Sequence, residues 1–199
     1  AVIPANLQDD LVERLAETLD TRVLQHGWSH QNHMPEGRKK QELDDVRDIG
    51  AVVADLRQGF HVLESRFGNR FLPVMVPPWN RIADDVVAVL HSLGFCGLST
   101  FNPRKVAEPD KGLIQVNTHV DVIDWRGSRG FVGEDAALGA MVSHLAARRT
   151  GQVDKAEPTG ILTHHLVHDR ATTKFLDNLF SMEHSALSWL RIPGVFPWQ

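Results

Sequence analysis

The residues best suited to chemistry in this sequence are three closely spaced histidines, His26, His30 and His33. Neutral imidazole is a good ligand for zinc and similar divalent ions. A spacing of four residues lets His26 and His30 face one ion if the segment makes a helical turn. We therefore predict that these two residues bind a metal and that His33 lines the site. The alternative is a polar surface loop in which the histidines are incidental.

A second candidate segment follows two prolines, Pro77 and Pro78, which fix the path of the chain. Trp79 offers an aromatic face that can stack on a sugar ring. Arg81 offers a guanidinium that pairs with carboxylates. The alternative is a rigid turn with a packed tryptophan.

Two further segments carry an acid and a histidine pair. Asp121 and Trp125 lie on the same side of an extended segment, because side chains alternate along a strand. An Asp can orient a His for general acid catalysis. His164 and His165 end an apolar run, where a buried imidazole needs a polar partner. The alternatives are solvated acids at a strand end and a satisfied core histidine.

All of these residues lie where predicted strands end. Short apolar runs alternate with helical periodicity along the chain, which indicates crossovers and a parallel sheet. Functional groups collect at the carboxyl ends of such strands. The predicted strands cover residues 1–3, 22–25, 71–76, 97–100, 113–119 and 160–166, and the predicted helices cover 7–19, 41–67, 82–93, 134–149 and 171–189.

Composition places the 199-residue chain among ordinary globular proteins, with 42% apolar and 23% charged residues. This length predicts a single domain over residues 1–199. A formal net charge of −4 with scattered basic residues argues against a general nucleic-acid binder. The single cysteine, Cys96, excludes an internal disulfide framework. The lack of a long apolar run predicts no membrane span.

Taken in chain order, the candidate segments resemble the polysaccharide deacetylases, the NodB-like carbohydrate esterases of family 4. His26 and His30 match the H-x-x-x-H motif of that family, and Pro77-Pro78-Trp79 matches its Pro-Pro-aromatic motif. The run from Asp121 to Trp125 matches D-x-x-D-W, and Leu162-Thr163-His164 matches L-x-H. Each motif is weak alone, whereas four in the same order are fairly specific.

The resemblance implies a distorted (β/α) barrel with fewer than eight strands. It implies that His26 and His30 bind a divalent metal, with zinc expected, and that the reaction removes acetyl groups from a carbohydrate. N-acetyl groups are expected more than O-acetyl groups. His164 would protonate the leaving amine, and Asp121 would tune His164. The residues expected to line the substrate pocket are Trp79, Arg81, Trp125, His33 and His165.

The chain also departs from the family pattern. The Asp-Asp motif, which in the family supplies the base and a metal ligand, has no match, and we expect it upstream of residue 1. Gly27 replaces a Ser or Thr, and Val76 stands at the Arg position, for which Arg81 is the expected substitute. The 199 residues alone are therefore not expected to be active.

Two other functions stay open. One is a non-catalytic carbohydrate- or metal-binding relative that lacks a base. The other is a metal-dependent amidohydrolase acting on a non-sugar amide. The printed residues show no signal-peptide pattern, and the sequence leaves the substrate, the compartment and the oligomeric state open.

Overall fold

The computed structural model describes residues 1–18, 20–183 and 187–196, and these form a mixed α/β structure with parallel sheets. This confirms the predicted fold class at that level, whereas a closed barrel is not shown over the described residues. The strands are β1 (Val23–Gln25), β2 (Phe71–Met75), β3 (Gly97–Leu98), β4 (Ile114–Gln115), β5 (Val120–Asp121) and β6 (Ile161–Leu162). The helices are α1 (Asp9–Ala16), α2 (Ile49–Phe67), α3 (Asp84–Leu90), α4 (Glu134–Thr150), α5 (Arg170–Phe180) and α6 (Ile192–Val195). Short 3-10 helices cover Pro4–Asn6, Gly68–Arg70, Pro78–Asn80, His91–Leu93 and His165–Val167.

Contacts divide the chain into two compact units. The first unit contains Ala1–Thr100, Val106–Val116 and Ile192–Gln199. The second contains Phe101–Lys105 and Asn117–Arg191. The prediction of one domain over the whole chain stays a prediction.

The first unit is built on a parallel sheet with the strand order β1-β2-β3-β4. Strand β2 is buried along its whole length, as expected of an inner strand with both faces covered. Helix α2 shares buried clusters with this sheet, Leu56 with Met75 and Leu63 with Phe71. This packing fixes the carboxyl ends of β1 and β2, after which two of the candidate segments follow.

The long helix predicted over 41–67 begins later than its apolar spacing indicated. Asp48 caps α2 by accepting a hydrogen bond from a backbone N–H of the first turn, and the helix begins at Ile49. Leu43 lies upstream in a parallel bridge with Ile82 and is fully buried. The prediction was wrong over the first turns because Leu43 continues the helical spacing while packing in the core from an extended segment.

The second unit contains the parallel pair β5–β6, with α4 and α5. Val120, Ala137 and Phe175 belong to its buried apolar cluster. Asp121 and Leu162 are register partners, so the segments that follow the two strands start side by side.

Other predicted elements are shorter in the structure. Residues 1–3 contribute only a bridge between Val2 and Gln25. The helix predicted over 171–189 ends at Phe180, where the hydroxyl of Ser181 donates to a carbonyl oxygen of the last turn. The predicted helical positions Leu19 and His184 lie outside the described residues. Among the described residues, no helix is both long and apolar enough to cross a membrane.

Candidate functional site

His26 is the first residue after β1, and its imidazole is held by the strand beside it. Ring Nδ1 lies 2.7 Å from the carbonyl oxygen of Val76, the first residue after β2. Because a carbonyl oxygen only accepts, Nδ1 carries the proton and Nε2 of the neutral ring carries the lone pair. A backbone carbonyl in this role is a usual second partner of a metal-binding histidine.

His30 lies beside His26 at a separation that suits a shared ion. The two ring centroids are 5.1 Å apart and the planes are tilted by 47°. Two imidazoles bound to one tetrahedral zinc ion, with Zn–N bonds of about 2.1 Å, have centroids about 5 Å apart. The segment is not helical as described, and His30 reaches its position through a left-handed backbone with φ 58°. The two rings are therefore brought together by the conformation of the loop, and not by the helical turn that the four-residue spacing suggested.

Trp79 extends this arrangement, with its ring centroid 4.3 Å from that of His30. Trp79 (φ 54°) and Asn80 (φ 56°) both have left-handed backbones, in the turn that the prolines open. Each such non-glycine residue costs roughly 1–2 kcal/mol. Strain of this kind concentrates at functional sites, where it holds a side chain in one place. His26, His30 and Trp79 thus form one contiguous set in the first unit.

A carboxylate that sequence reasoning did not single out holds the loop between the two histidines. Glu42 is 1% exposed, and its Oε1 accepts hydrogen bonds from the backbone N–H (2.7 Å) and hydroxyl (3.1 Å) of Ser29. The backbone N–H of Trp28 lies 3.3 Å from both carboxylate oxygens. Gly27 has φ 60°, and its backbone lies so close to the Glu42 carboxylate that a Cβ at position 27 would overlap Oε2 of Glu42. Sequence reasoning missed Glu42 because the residue lies in the stretch predicted as a helix and belongs to no motif.

Arg81 and His33 also belong to the first unit. Arg81 Nη1 donates a hydrogen bond to the carbonyl oxygen of Lys40 at 2.9 Å. The backbone N–H of His33 donates a hydrogen bond to the carbonyl oxygen of Gln41 at 3.1 Å. The assignment of these two residues to a substrate pocket stays a prediction. Arg81 lines a cavity of about 400 Å³ whose other polar residues are Gln41, Asn80, Asp84, Thr100 and Gln115.

In the second unit, the structure brings Asp121, Trp125 and His164 together. Oδ2 of Asp121 accepts a hydrogen bond from Trp125 Nε1 at 2.8 Å and lies 3.3 Å from His164 Nε2. The rings of Trp125 and His164 meet edge to face, with centroids 4.8 Å apart. Burial opposes ionisation of Asp121, but the bonds from His164, from the Ile123 backbone and from Trp125 lower its pKa below the usual value. The acid is thus an ionised acceptor beside a partly buried histidine.

The other residues of this segment are less constrained. His165 is exposed and begins the short 3-10 helix. Trp125 is 47% exposed although its indole N–H is bonded, so one face is available to a ligand. The place of His165 in a substrate pocket stays a prediction.

The second unit also contains a buried group that sequence reasoning missed. His119, His144 and Glu157 each offer a ligand atom, all within 4.8 Å of one another, and the group could hold a metal ion. The rings of His119 and His144 are stacked, with centroids 3.6 Å apart and planes 19° apart. Glu157 lies in what the sequence indicated to be a linker, and no motif spacing joins these residues.

The hydrogen bonds of this group indicate which ring nitrogen of neutral His119 carries the proton. The backbone N–H of Gly160 donates to His119 Nδ1 at 3.0 Å, so the proton of the neutral ring is on Nε2, which lies 3.3 Å from Oε2 of Glu157. His144 Nδ1 lies 2.9 Å from Thr159 Oγ1. The Nε2 atoms of both His119 and His144 are buried with no hydrogen-bond partner among the described residues. Burial, and then the nearby His119, lower the pKa of His144 to about 4.

Comparisons of the chain with protein-family models, with curated proteins and with solved structures found no match. The candidate sites therefore stand on their own geometry.

Proposed function

We propose that the protein is a metal-dependent hydrolase that removes acetyl groups from a carbohydrate, N-acetyl groups in preference to O-acetyl groups. The observation that carries the proposal is the pair His26 and His30. One ring has its tautomer fixed by a backbone carbonyl, and the ring separation suits a shared ion. The resemblance to polysaccharide deacetylases supplies the reaction, and the barrel-type architecture belongs to the same proposal.

The residues present fit a divalent metal such as zinc. His26 presents the lone pair of Nε2 because Val76 holds the proton on Nδ1. His30 lies at a suitable distance and is held by Trp79 on its other side. A bound zinc ion supplies a Lewis acid for the acyl carbonyl and lowers the pKa of water.

The chain's own side chains have further roles in this proposal. The resemblance makes His164 the group that would give its proton to the leaving amine, and within the second unit Asp121 accepts hydrogen bonds from His164 and Trp125 and so orients that imidazole. Trp79 presents an aromatic face beside the metal-binding pair. Trp125 is half-exposed and suits contact with the acetylated sugar.

The first experiment is titration of the chain with Zn²⁺, followed by NMR of the imidazole C–H signals, which also detects weak binding. We expect the signals of His26 and His30 to shift together. The ring signals of Trp79, which contacts His30, should shift with them, and the double variant His26→Ala/His30→Ala should lose this Zn²⁺ response of Trp79. His61→Ala is the matched control, because His61 is an exposed histidine of α2. A Zn²⁺ response that survives the double variant would contradict the assignment.

The second experiment measures acetate release from N-acetylglucosamine oligomers by the natural full-length chain. Asp121→Asn should lower the rate about 100-fold, in the range of general acid catalysis, and leave the Zn²⁺ response intact. Release from an N-acetylated amine without a sugar, but not from the oligomers, would favour the amidohydrolase alternative.

A second candidate function is metal or carbohydrate binding without catalysis. Among the described residues, the only group of three His, Cys, Asp or Glu ligands is His119, His144 and Glu157. His26 and His30 therefore have no third such ligand there, whereas catalytic zinc sites usually have three protein ligands. Zinc binding with no acetate release from any substrate would favour this function.

A further inference from the structure

The buried carboxylate of Glu42 has no part in the roles assigned above. An ionised side chain is costly to bury unless it is hydrogen-bonded. The carboxylate of Glu42 receives hydrogen bonds from the backbone N–H and hydroxyl of Ser29 and from the backbone N–H of Trp28. These donors lie on the short stretch between His26 and His30, so the carboxylate organises that stretch.

The two ends of this stretch are fixed in different ways. His26 is held by the carbonyl of Val76, whereas His30 directly follows the residue that Glu42 binds most closely. The position of the His30 ring relative to His26 therefore depends on Glu42. The close approach of Gly27 to Oε2 strengthens this dependence, because the carboxylate fills the space that a side chain at position 27 would take.

We propose that Glu42 is a positioning residue, whose carboxylate fixes the His26–His30 loop so that both imidazoles address one ion. The metal part of this inference rests on the proposed function. The placement of the His30 ring beside His26 and Trp79 does not, because that placement is a property of the protein without metal.

The test compares Glu42→Gln with the matched control Asp44→Asn. Gln keeps the size of the side chain but turns an amide N–H₂ toward backbone N–H groups. Asp44 is also 1% exposed, and its hydrogen bonds go to Val46 and Arg47 within its own turn. Both variants neutralise a buried acid, but only Glu42→Gln changes a side chain that bonds the loop carrying the histidines. Asp44 is linked to Glu42 through Arg47, which donates to the Asp44 carboxylate and to the backbone carbonyl oxygen of Glu42, so the control also tests this backbone link.

We expect Glu42→Gln to weaken Zn²⁺ binding by about 10–100-fold, the usual effect of losing a group that orients a metal ligand. Asp44→Asn should bind Zn²⁺ within about twofold of the wild type, because we expect the loss of the Asp44 carboxylate to lower only the free energy of unfolding. With Co²⁺ in place of Zn²⁺, the visible absorption bands should change in Glu42→Gln and not in Asp44→Asn. Far-UV circular dichroism establishes that each variant is folded at the temperature used.

A metal-free measurement separates the two proposals. Without metal, Glu42→Gln should move the NMR signals of the His30 and Trp79 rings, which lie in contact, and Asp44→Asn should leave them in place. If the wild type binds no Zn²⁺, the proposed function fails, and these ring signals still decide whether Glu42 positions His30.

Unchanged ring signals in a folded Glu42→Gln variant would overturn the inference, as would wild-type Zn²⁺ affinity. If Glu42→Gln does not fold, Ser29→Ala takes its place, because it removes only the hydroxyl bond to Oε1. That variant should shift the same ring signals and weaken Zn²⁺ binding in the same direction by a smaller factor. Signals and affinity equal to those of the wild type would again overturn the inference.

Discussion

Two regions of this chain gather histidines beside a buried glutamate, and they differ in how the ring nitrogens are used. In the first unit, His26 Nδ1 donates a hydrogen bond to a carbonyl oxygen, so the lone pair of the neutral ring is on Nε2. In the second unit, His119 Nδ1 accepts a hydrogen bond from a backbone N–H, so the proton of the neutral ring is on Nε2, which lies 3.3 Å from Oε2 of Glu157. The ligand types are the same, but the protons are on opposite nitrogens.

Ring orientation adds to this difference. The lone pair of an imidazole nitrogen lies in the ring plane, so the tilted rings of His26 and His30 can aim at one point. The rings of His119 and His144 are stacked, with planes only 19° apart. In our proposal the metal belongs to the first pair, whereas the second cluster is the one that offers three ligand atoms within 4.8 Å of one another. The two regions therefore compete as metal sites, and the proposal separates them by ring orientation and by hydrogen-bond polarity.

The largest expected effect comes from His26→Ala alone. The variant should abolish the Zn²⁺-induced NMR shift of His30, because the two rings share one ion in the proposal. Its free energy of unfolding should change by less than about 1 kcal/mol, since the ring is only partly buried. Urea unfolding and Zn²⁺ titration of the same sample measure both. If His26→Ala kept the Zn²⁺ response and His119→Ala lost it, the metal would belong to the buried cluster of the second unit and not to His26 and His30.

His119→Ala should show the opposite pattern. Removing this ring takes a buried side chain from beside the carboxylate of Glu157, which is 0% exposed and keeps the backbone N–H groups of Arg104 and Asn117 as donors, and we expect a loss of about 1–3 kcal/mol. Zn²⁺ binding should stay within about twofold of the wild type. Urea unfolding with His61→Ala as the control measures the difference. A stability equal to that of the control would show that the cluster contributes little to folding.

Gly27→Ala should affect both properties in the first unit. The left-handed backbone at Gly27 costs a residue with a Cβ about 1–2 kcal/mol, and the added methyl group meets Glu42 and Pro78. Zn²⁺ affinity should fall together with stability, because the methyl group displaces the carboxylate that holds the loop. The matched control is Gly139→Ala, since Gly139 lies in α4 with nothing near its missing Cβ. Equal Zn²⁺ affinity in the two variants would contradict the coupling of Gly27 to the site.

The sequence predicted those parts of the sites that depend on local periodicity. Alternation placed Asp121 and Trp125 on one side of an extended segment, whereas the hydrogen bond that joins them depends on a turn at Trp125, because four extended residues would span about 13 Å. Apolar runs located β1 and β2, after which His26 and Trp79 follow. Residues at the ends of neighbouring parallel strands are brought close by the sheet itself, so such proximity can be inferred before any coordinates exist.

The remaining features depend on partners far apart in the chain. Glu42 lies in a stretch whose apolar spacing resembles a helix, and only the bridge between Leu43 and Ile82 makes it extended. The stacking of His119 on His144 joins a strand segment to a helix face, and neither residue belongs to a motif. Periodicity carries no information about which nitrogen of a ring holds the proton, because this is set by those distant partners.

A single titrating group also gives the second unit an expected pH dependence. Burial and the nearby His119 and Arg148 lower the pKa of His144 from its ordinary value of 6.5 to about 4 in the folded chain, with Glu157 opposing them. Between these values the unfolded chain binds the extra proton, so this contribution to stability is complete above about pH 6.5 and is lost as the pH falls toward 4. A single proton limits the slope to about 1.4 kcal/mol per pH unit.

The variant His144→Gln removes this titration while keeping a side chain that can bond Thr159. Urea unfolding of wild type and variant at pH 7, 6 and 5 should show that the wild type loses stability faster than the variant on acidification. The difference between the two curves isolates His144, because the other titrating groups are common to both. Parallel curves would mean that His144 takes up its proton equally well when folded. The comparison of the buried cluster with the His26–His30 pair would then rest on ring orientation and on which ring nitrogen carries the proton.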